Sequence, residues 1–191
     1  MYRTLVLVFA LSFLACASTD TTKEQAQLHL QIGTSHLENG HYPQALAELL
    51  TANKLDPANA VILNNLGLAY FVRNENATAY KYLTRAVEIN PKYSEARNNR
   101  GRVLTEMGRT SEAITDLTMV TKDLLYQTPE KAYSNLGLAY LKSGAYTEAL
   151  STFKKAIEMN HKFCAAHNYF GQAELQLQKY AEAVEAFENA L

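Results

Sequence analysis

The sequence predicts an all-α chain, built as an array of helix–turn–helix repeats. Three observations predict it. Gly33, Gly67, Gly101, Gly137 and Gly171 follow one another at intervals of 34, 34, 36 and 34 residues. Ala45, Ala79, Ala113, Ala149 and Ala183 each lie twelve residues after one of these glycines, and Ala52, Ala86, Val120, Ala156 and Ala190 lie seven further on. The heptad NNLGLAY at 64–70 returns almost intact as SNLGLAY at 134–140. A fixed period of this length marks a solenoid, in which no unit buries its apolar face alone and each stacks on its neighbours to do so.

The N-terminal 15 residues read as a targeting segment. Met1-Tyr2-Arg3 carries one positive charge, and LVLVFALSFLA (5–15) carries none. Spanning a bilayer as a helix takes about 20 apolar residues, so this shorter run has the length of a signal-peptide core. Ser12-Phe13-Leu14-Ala15-Cys16 follows the pattern of a small residue before Cys. It resembles the bacterial lipobox, which implies cleavage before Cys16 and lipidation of Cys16. The alternatives are an ordinary secretory signal with a chance Cys, or an uncleaved anchor. Ala17 stands where, by resemblance to Gram-negative lipoproteins, Asp would retain the protein in the inner membrane; the implied address is the periplasmic face of the outer membrane. Residues 16–25 are small and polar and read as a flexible tether with a reach of at most about 35 Å.

The array then runs in five units, 26–59, 60–93, 94–129, 130–163 and 164–191. A Gly inside a helix costs about 1 kcal/mol against Ala, so its recurrence calls for close packing: Gly on the first helix and Ala on the second let two backbones approach. Gly40, Gly108 and Gly144 fall seven residues later, where the first helix ends in a left-handed cap. Pro43 opens a second helix, and Pro57, Pro91 and Pro129 follow helix ends. The fifth unit stops within its second helix, without the polar cap that closes such arrays. Its end is then exposed, or continued in a longer chain, or packed on a partner.

This pattern resembles the tetratricopeptide repeat over about residues 26–191. The resemblance implies a right-handed superhelical array whose first helices line a concave groove.

Composition excludes several functions. Lys and Arg total 18 against 19 Asp and Glu, a net charge of −1, which leaves no electrostatic footprint for nucleic acid. Two cysteines, Cys16 and Cys164, make no disulfide framework. The chain has no P-loop, GxGxxG, HExxH, CxxC or nucleophile elbow. His161, Cys164 and His167 come nearest to a metal set, but they occupy ordinary repeat slots and read as packing residues, as do His29 and His36. No catalytic residue, metal, cofactor or small-molecule substrate is expected, and the chain reads as a binding protein, not an enzyme.

Function must then lie on the surface. In each first helix, positions 2, 5, 9 and 12 of the repeat form a stripe distinct from the packing stripe. From it come the candidate peptide-binding residues: Leu30, Leu37, Asn64, Leu68, Phe71, Asn98, Arg102, Leu138, Leu141 and Asn168, with Leu175 as a further apolar member. Large apolar groups where solvent is expected suit an amphipathic or extended peptide, and Asn at position 5 can both donate to and accept from a peptide backbone. The competing reading is that the leucines are covered by neighbouring helices and Asn only solvates the face. Position 5, where a carboxylate clamp of the chaperone type wants basic residues, holds Leu, Asn, Asn, Ser and Asn, and Arg102 at position 9 is alone, so a full clamp is not expected. In the third unit Arg100 takes a usually apolar slot, and its stem is expected to run past the core toward Asp or Glu.

The third unit is two residues too long, and the surplus lies near DLLYQTP (123–129). With a lipobox and repeats, this segment resembles the pilotin family of type IV pilus biogenesis lipoproteins (the PilF, PilW and Tgl group), through Asp123, Leu125, Tyr126, Thr128 and Pro129, then Asn135, Gly137 and Leu138. Asp123 is one residue further from Leu-Tyr than in the family pattern, and the family usually has six repeats. The resemblance implies an outer-membrane lipoprotein that binds the type IV pilus secretin and promotes its membrane targeting and multimerisation. The alternatives are a scaffold for another envelope complex, such as β-barrel assembly or peptidoglycan machinery, or a cytosolic co-chaperone if the N-terminus is not processed. The inserted segment itself reads as structural, re-aiming the fourth unit, and not as a contact loop.

Overall fold

The structure is a computed structural model and describes residues 21–190. The predicted signal segment and Cys16 lie outside the described residues. Helix α1 occupies 21–38. Nine more follow: α2 (Tyr42–Leu55), α3 (Ala60–Phe71), α4 (Asn76–Ile89), α5 (Ser94–Glu106), α6 (Thr110–Thr121), α7 (Pro129–Ser143), α8 (Tyr146–Met159), α9 (Cys164–Gln176) and α10 (Tyr180–Glu188). There is no strand among the described residues.

Residues 21–25 belong to α1 and not to the tether expected from the sequence. Lys23, Glu24 and Gln25 are strong helix formers, and they extend the helix outward from Ala26, the first buried residue. Pro129 also differs from expectation. It opens α7 at its first helical position, where its missing N–H is harmless, instead of trailing the end of α6.

Odd-numbered and even-numbered helices alternate as hairpins. Each odd helix from α3 on also touches the next odd one, α3 with α5, α5 with α7 and α7 with α9. The odd helices therefore form one wall and the even helices the other, and the array is superhelical. The core runs between the walls as a chain of clusters, such as Leu49, Ile62 and Leu66 at one end and Phe153 with Ala173 at the other.

The repeated glycines admit a side chain as well as a close backbone: at Gly33 an added Cβ would meet the Ala45 carbonyl at 3.3 Å, as expected, but the nearer obstacle is Leu49. A Cβ built on Gly67 would meet Leu83 Cγ at 2.5 Å, and one on Gly101 would meet Leu117 Cγ at 2.5 Å. At Gly33, Gly137 and Gly171 the obstacles are Leu49, Phe153 and Phe187. In every unit the space left by the glycine is filled by a bulky side chain sixteen residues later, about one helical turn beyond the recurring alanine. The caps are as expected: Gly40, Gly108 and Gly144 have φ of +75°, +74° and +82°, and Asn74 and Gln178 take the same turn at +62°.

The turns from even to odd helices are short, 56–59, 90–93 and 160–163, except one. Residues 122–128 form a longer loop between α6 and α7. It curls back onto the start of α5. Asp123 accepts a short hydrogen bond from Ser94 Oγ, and Tyr126 donates its hydroxyl to Glu95 Oε2 at 2.8 Å. The Ser94 contact and the Leu125 N–H hold the Asp123 carboxyl below its usual range. Burial, then the nearby Glu95 charge, pushes the Tyr126 hydroxyl up.

Candidate peptide-binding groove

The odd helices present a row of concavities, and the predicted stripe lies along them. The first, of about 700 Å³, is bordered by Leu30, Leu37, Val61, Asn64 and Leu68. The second, of about 440 Å³, is bordered by Leu68, Phe71, Asn98, Arg102, Lys131 and Leu138. A third holds Leu138, Leu141 and Leu175, and a fourth Asn168 and Gln172. Leu68 is shared by the first two and Leu138 by the second and third, so these form one continuous groove.

The side chains are not equally available. Leu30 is 5% exposed and belongs to the core cluster of Leu49, Ile62 and Leu66, with Leu37 packed against it. Leu30 has already buried most of the surface a ligand would cover. The apolar groups that border the hollows and keep some open surface are Leu37, Val61, Leu68, Phe71, Leu138, Leu141 and Leu175, of which Val61 and Leu175 are exposed. Phe71 is half-buried, and the Arg102 guanidinium lies over its ring, 4.9 Å from the centroid. This cation–π contact is the partner that Arg102 has in place of a carboxylate.

Asn64 and Asn98 are each 3% exposed. They join neighbouring units instead of standing open toward a ligand. Asn99 Nδ2 donates to Asn64 Oδ1 at 3.0 Å, and Asn135 Nδ2 donates to Asn98 Oδ1 at 2.9 Å. Asn64 Nδ2 donates to Asn65 Oδ1 at 3.1 Å, and Asn65 Nδ2 to Thr34 Oγ1 at 2.8 Å. Position 5 of the second and third units thus accepts from position 6 of the next, position 6 of the second unit reaches Thr34 on the first, and the seam runs from α1 through α7. The position 6 residues, Asn65, Asn99 and Asn135, are not among the expected site residues. The paired Asn-Asn at 64–65 and 98–99, with Ser-Asn at 134–135, is the sequence signal for them. Ser134 and Tyr169 take these slots at the α7–α9 step, and no such bond joins them. Asn168 is exposed, and its Oδ1 accepts from Gln172 Nε2 at 2.6 Å.

Behind the second concavity lies a buried ion network. Arg100 donates twice to Asp116, at 2.6 and 2.8 Å, and Arg97 approaches it at 3.3 Å. The Arg100 stem runs to an acidic neighbour as expected, and the Asp116 hydrogen bond raises its pKa further. His29 pairs with Glu48 at 2.6 Å, and the His167 ring meets the His161 carbonyl at 2.9 Å. Among the described residues no group of three or more His, Cys, Asp or Glu could hold a metal ion.

The tetratricopeptide-repeat family matches residues 30–94, 82–115 and 130–163. The chain belongs to this family. It is 26% identical over 165 residues to the type IV pilus assembly protein PilF of Pseudomonas aeruginosa, covering 82% of this chain and 66% of PilF. It is also 26% identical to human tetratricopeptide repeat protein 13, over 93% of this chain but only 20% of that one. The chain therefore spans a little under two thirds of PilF and a fifth of the human relative. Among solved structures, that of Pseudomonas aeruginosa PilF superposes with a TM-score of 0.78 at 23% identity, covering 89% of this chain and 77% of that one. PilW, described as a widely conserved type IV pilus biogenesis factor, superposes with a TM-score of 0.79 at 22% identity, covering 86% and 77%. At these identities the superpositions speak for the fold.

Proposed function

We propose that this chain is a lipid-anchored scaffold of type IV pilus biogenesis, a pilotin whose groove holds an apolar segment of the pilus secretin. The secretin must keep a membrane-seeking segment covered until its ring closes, and a groove tethered at the membrane by Cys16 can cover it. The observation that carries this reading is the continuous concavity in which Leu68 and Leu138 bridge adjoining hollows. The similarity to PilF over 82% of the chain supports the pilus assignment.

Burying one such apolar side chain is worth roughly 1.5–3 kcal/mol, and association costs at least about 4 kcal/mol. Five such anchors contribute roughly 7.5–15 kcal/mol before that cost, which leaves room for an affinity near micromolar, about 8 kcal/mol, enough for a transient escort.

The test is secretin assembly in the host. Deleting the chain should leave secretin monomers and few multimers, and restoring it should bring the multimers back. The Cys16→Ala form should lose a fatty-acid label carried by the wild type and should restore multimers poorly. Normal multimers in the deletion strain would refute the function, and equal labelling of both forms would refute the anchor.

A further inference from the structure

We propose that one edge of the array lies against the lipid bilayer and inserts Leu124 and Leu125 into its interface. This inference rests on the membrane attachment proposed above. It concerns a surface distinct from the groove.

Topology supplies the first reason. Successive odd helices run the same way, so their N-terminal ends and the C-terminal ends of the even helices meet along one edge. The loop 122–128 projects from that edge. So does the start of α1 at Thr21, five residues after Cys16 and thus within about 18 Å of it. An anchor at Cys16 therefore turns this edge, and not the opposite one, toward the membrane.

The loop supplies the second reason. Leu124 and Leu125 are 96% and 84% exposed, values unusual for two adjacent leucines. They are presented by a held loop. Asp123 Oδ1 accepts from the Leu125 N–H at 3.0 Å, Gln127 Nε2 donates to the Leu125 carbonyl at 2.9 Å, and Tyr126 is tied to Glu95 on α5. The leucines stay outside while Tyr126 is half-buried against α5.

The rest of the edge has matching chemistry. Ile89, Met119 and Met159, in the last turns of α4, α6 and α8, are exposed apolar groups. Lys92, Lys122 and Lys162, in or beside the turns, are exposed cations, and they outnumber the exposed Glu88 and Glu158 in the last turns of α4 and α8. Apolar tips among lysines suit an interface where tips enter about 5–10 Å and lysines meet anionic headgroups. A bilayer accepts a projecting apolar pair with no shape match, whereas a protein partner needs a pocket for it. The convex presentation favours lipid. One leucine pair binds weakly alone, but a tether makes insertion intramolecular and raises its effective concentration.

The chain has no Trp, so one introduced Trp reports on its own site. The full chain, carrying Leu124→Trp or, on the opposite edge, Met107→Trp, is extracted from membranes and reconstituted into phosphatidylglycerol-containing vesicles. Some vesicles carry lipids brominated high on the acyl chain, and the mass of Cys16 is read on the same sample. The expected result is a blue shift and strong bromolipid quenching for the Leu124→Trp protein, with neither for Met107→Trp. A co-floating, acylated Leu124→Trp protein whose indole stays unquenched overturns the insertion and leaves the anchor standing. Quenching in both variants overturns the orientation. A blue shift in Leu124→Trp that appears only on adding secretin assigns the leucines to a protein contact and overturns the proposal. Failure to co-float overturns anchor and insertion together.

Discussion

The first and second concavities sit side by side on the same wall and share Leu68, yet they are different surfaces. The first is bordered by Leu37, Val61 and Leu68 with Leu30 buried among them, and has Gln, Ser, Glu38 and Glu95 in its lining but neither Lys nor Arg. The second has Arg102 and Lys131 in its lining and Phe71 under a guanidinium. Both carboxylates that border the second are already engaged, Glu95 with Tyr126 and Glu106 with Lys142. The difference teaches that a repeat array can divide labour without breaking its period. The first hollow offers apolar surface with no cation beside it. The second offers a covered anchor and two cations, and so a means of selecting what enters.

The largest effect that separates the two regions should lie beneath them. Slots 4 and 23 of the unit hold His29 and Glu48 behind the first concavity, and Arg97 and Asp116 behind the second. Asp116 is nearly buried and serves two arginines. Asp116→Ala should cost up to about 3–5 kcal/mol, because it strands two arginines whose side chains are mostly buried. Glu48→Ala, at a half-exposed pair, should cost about 0–1 kcal/mol. Urea unfolding of the two variants checks this, and equal costs would show the comparison to be superficial.

The seam gives a smaller contrast. Asn99→Ala leaves the buried Asn64 oxygen without its donor and should cost about 1–3 kcal/mol, whereas Gln172→Ala removes only the exposed bond to Asn168 and should cost at most about 0.5 kcal/mol. Thermal unfolding of both measures the difference. Gln178→Gly serves as a control away from both hollows. Gln178 holds a left-handed conformation that only Gly adopts freely, so the change should stabilise the last hairpin by about 1 kcal/mol.

The smallest effect concerns the long loop. The carboxyl of Asp123 has its pKa depressed by the Ser94 and Leu125 hydrogen bonds. A depressed carboxyl contributes stability above its unfolded pKa, about 3.9, and loses it as pH falls through the folded value. The Leu125 amide shift should therefore titrate with a midpoint below the ordinary Asp range. A midpoint at or above that range would mean that Asp123 does not hold the loop.

Much of this is legible in the sequence because the period is enforced by packing. Gly67 and Gly101 announce two helices in contact, and any larger residue there would strike Leu83 or Leu117. What fills the gap is not legible, since a missing Cβ can admit a backbone or a side chain alike. The stripe falls on the right wall, but the spacing of Leu30 does not reveal that it also reaches the core. Asn64 and Asn98 look free in the sequence because hydrogen bonds between units depend on how successive hairpins stack, which no single repeat records. Leu124 and Leu125 mislead in the opposite direction. The inserted segment reads as structural, and only the fold shows that its two leucines stand exposed while Tyr126 beside them is half-buried.

The groove account is tested most directly by titrating a membrane-facing segment of the secretin against the wild type, Phe71→Ala and Arg102→Ala at two salt concentrations. Phe71 also packs on Leu83 and Val103, so the folded state of each variant is verified by its unfolding curve first. The account predicts that Phe71→Ala weakens binding by about thirtyfold, or about 2 kcal/mol. It also predicts that Arg102→Ala changes binding less, and that salt matters little. If Arg102→Ala is the damaging change and binding collapses in salt, the contact is electrostatic, and an apolar groove is the wrong mechanism.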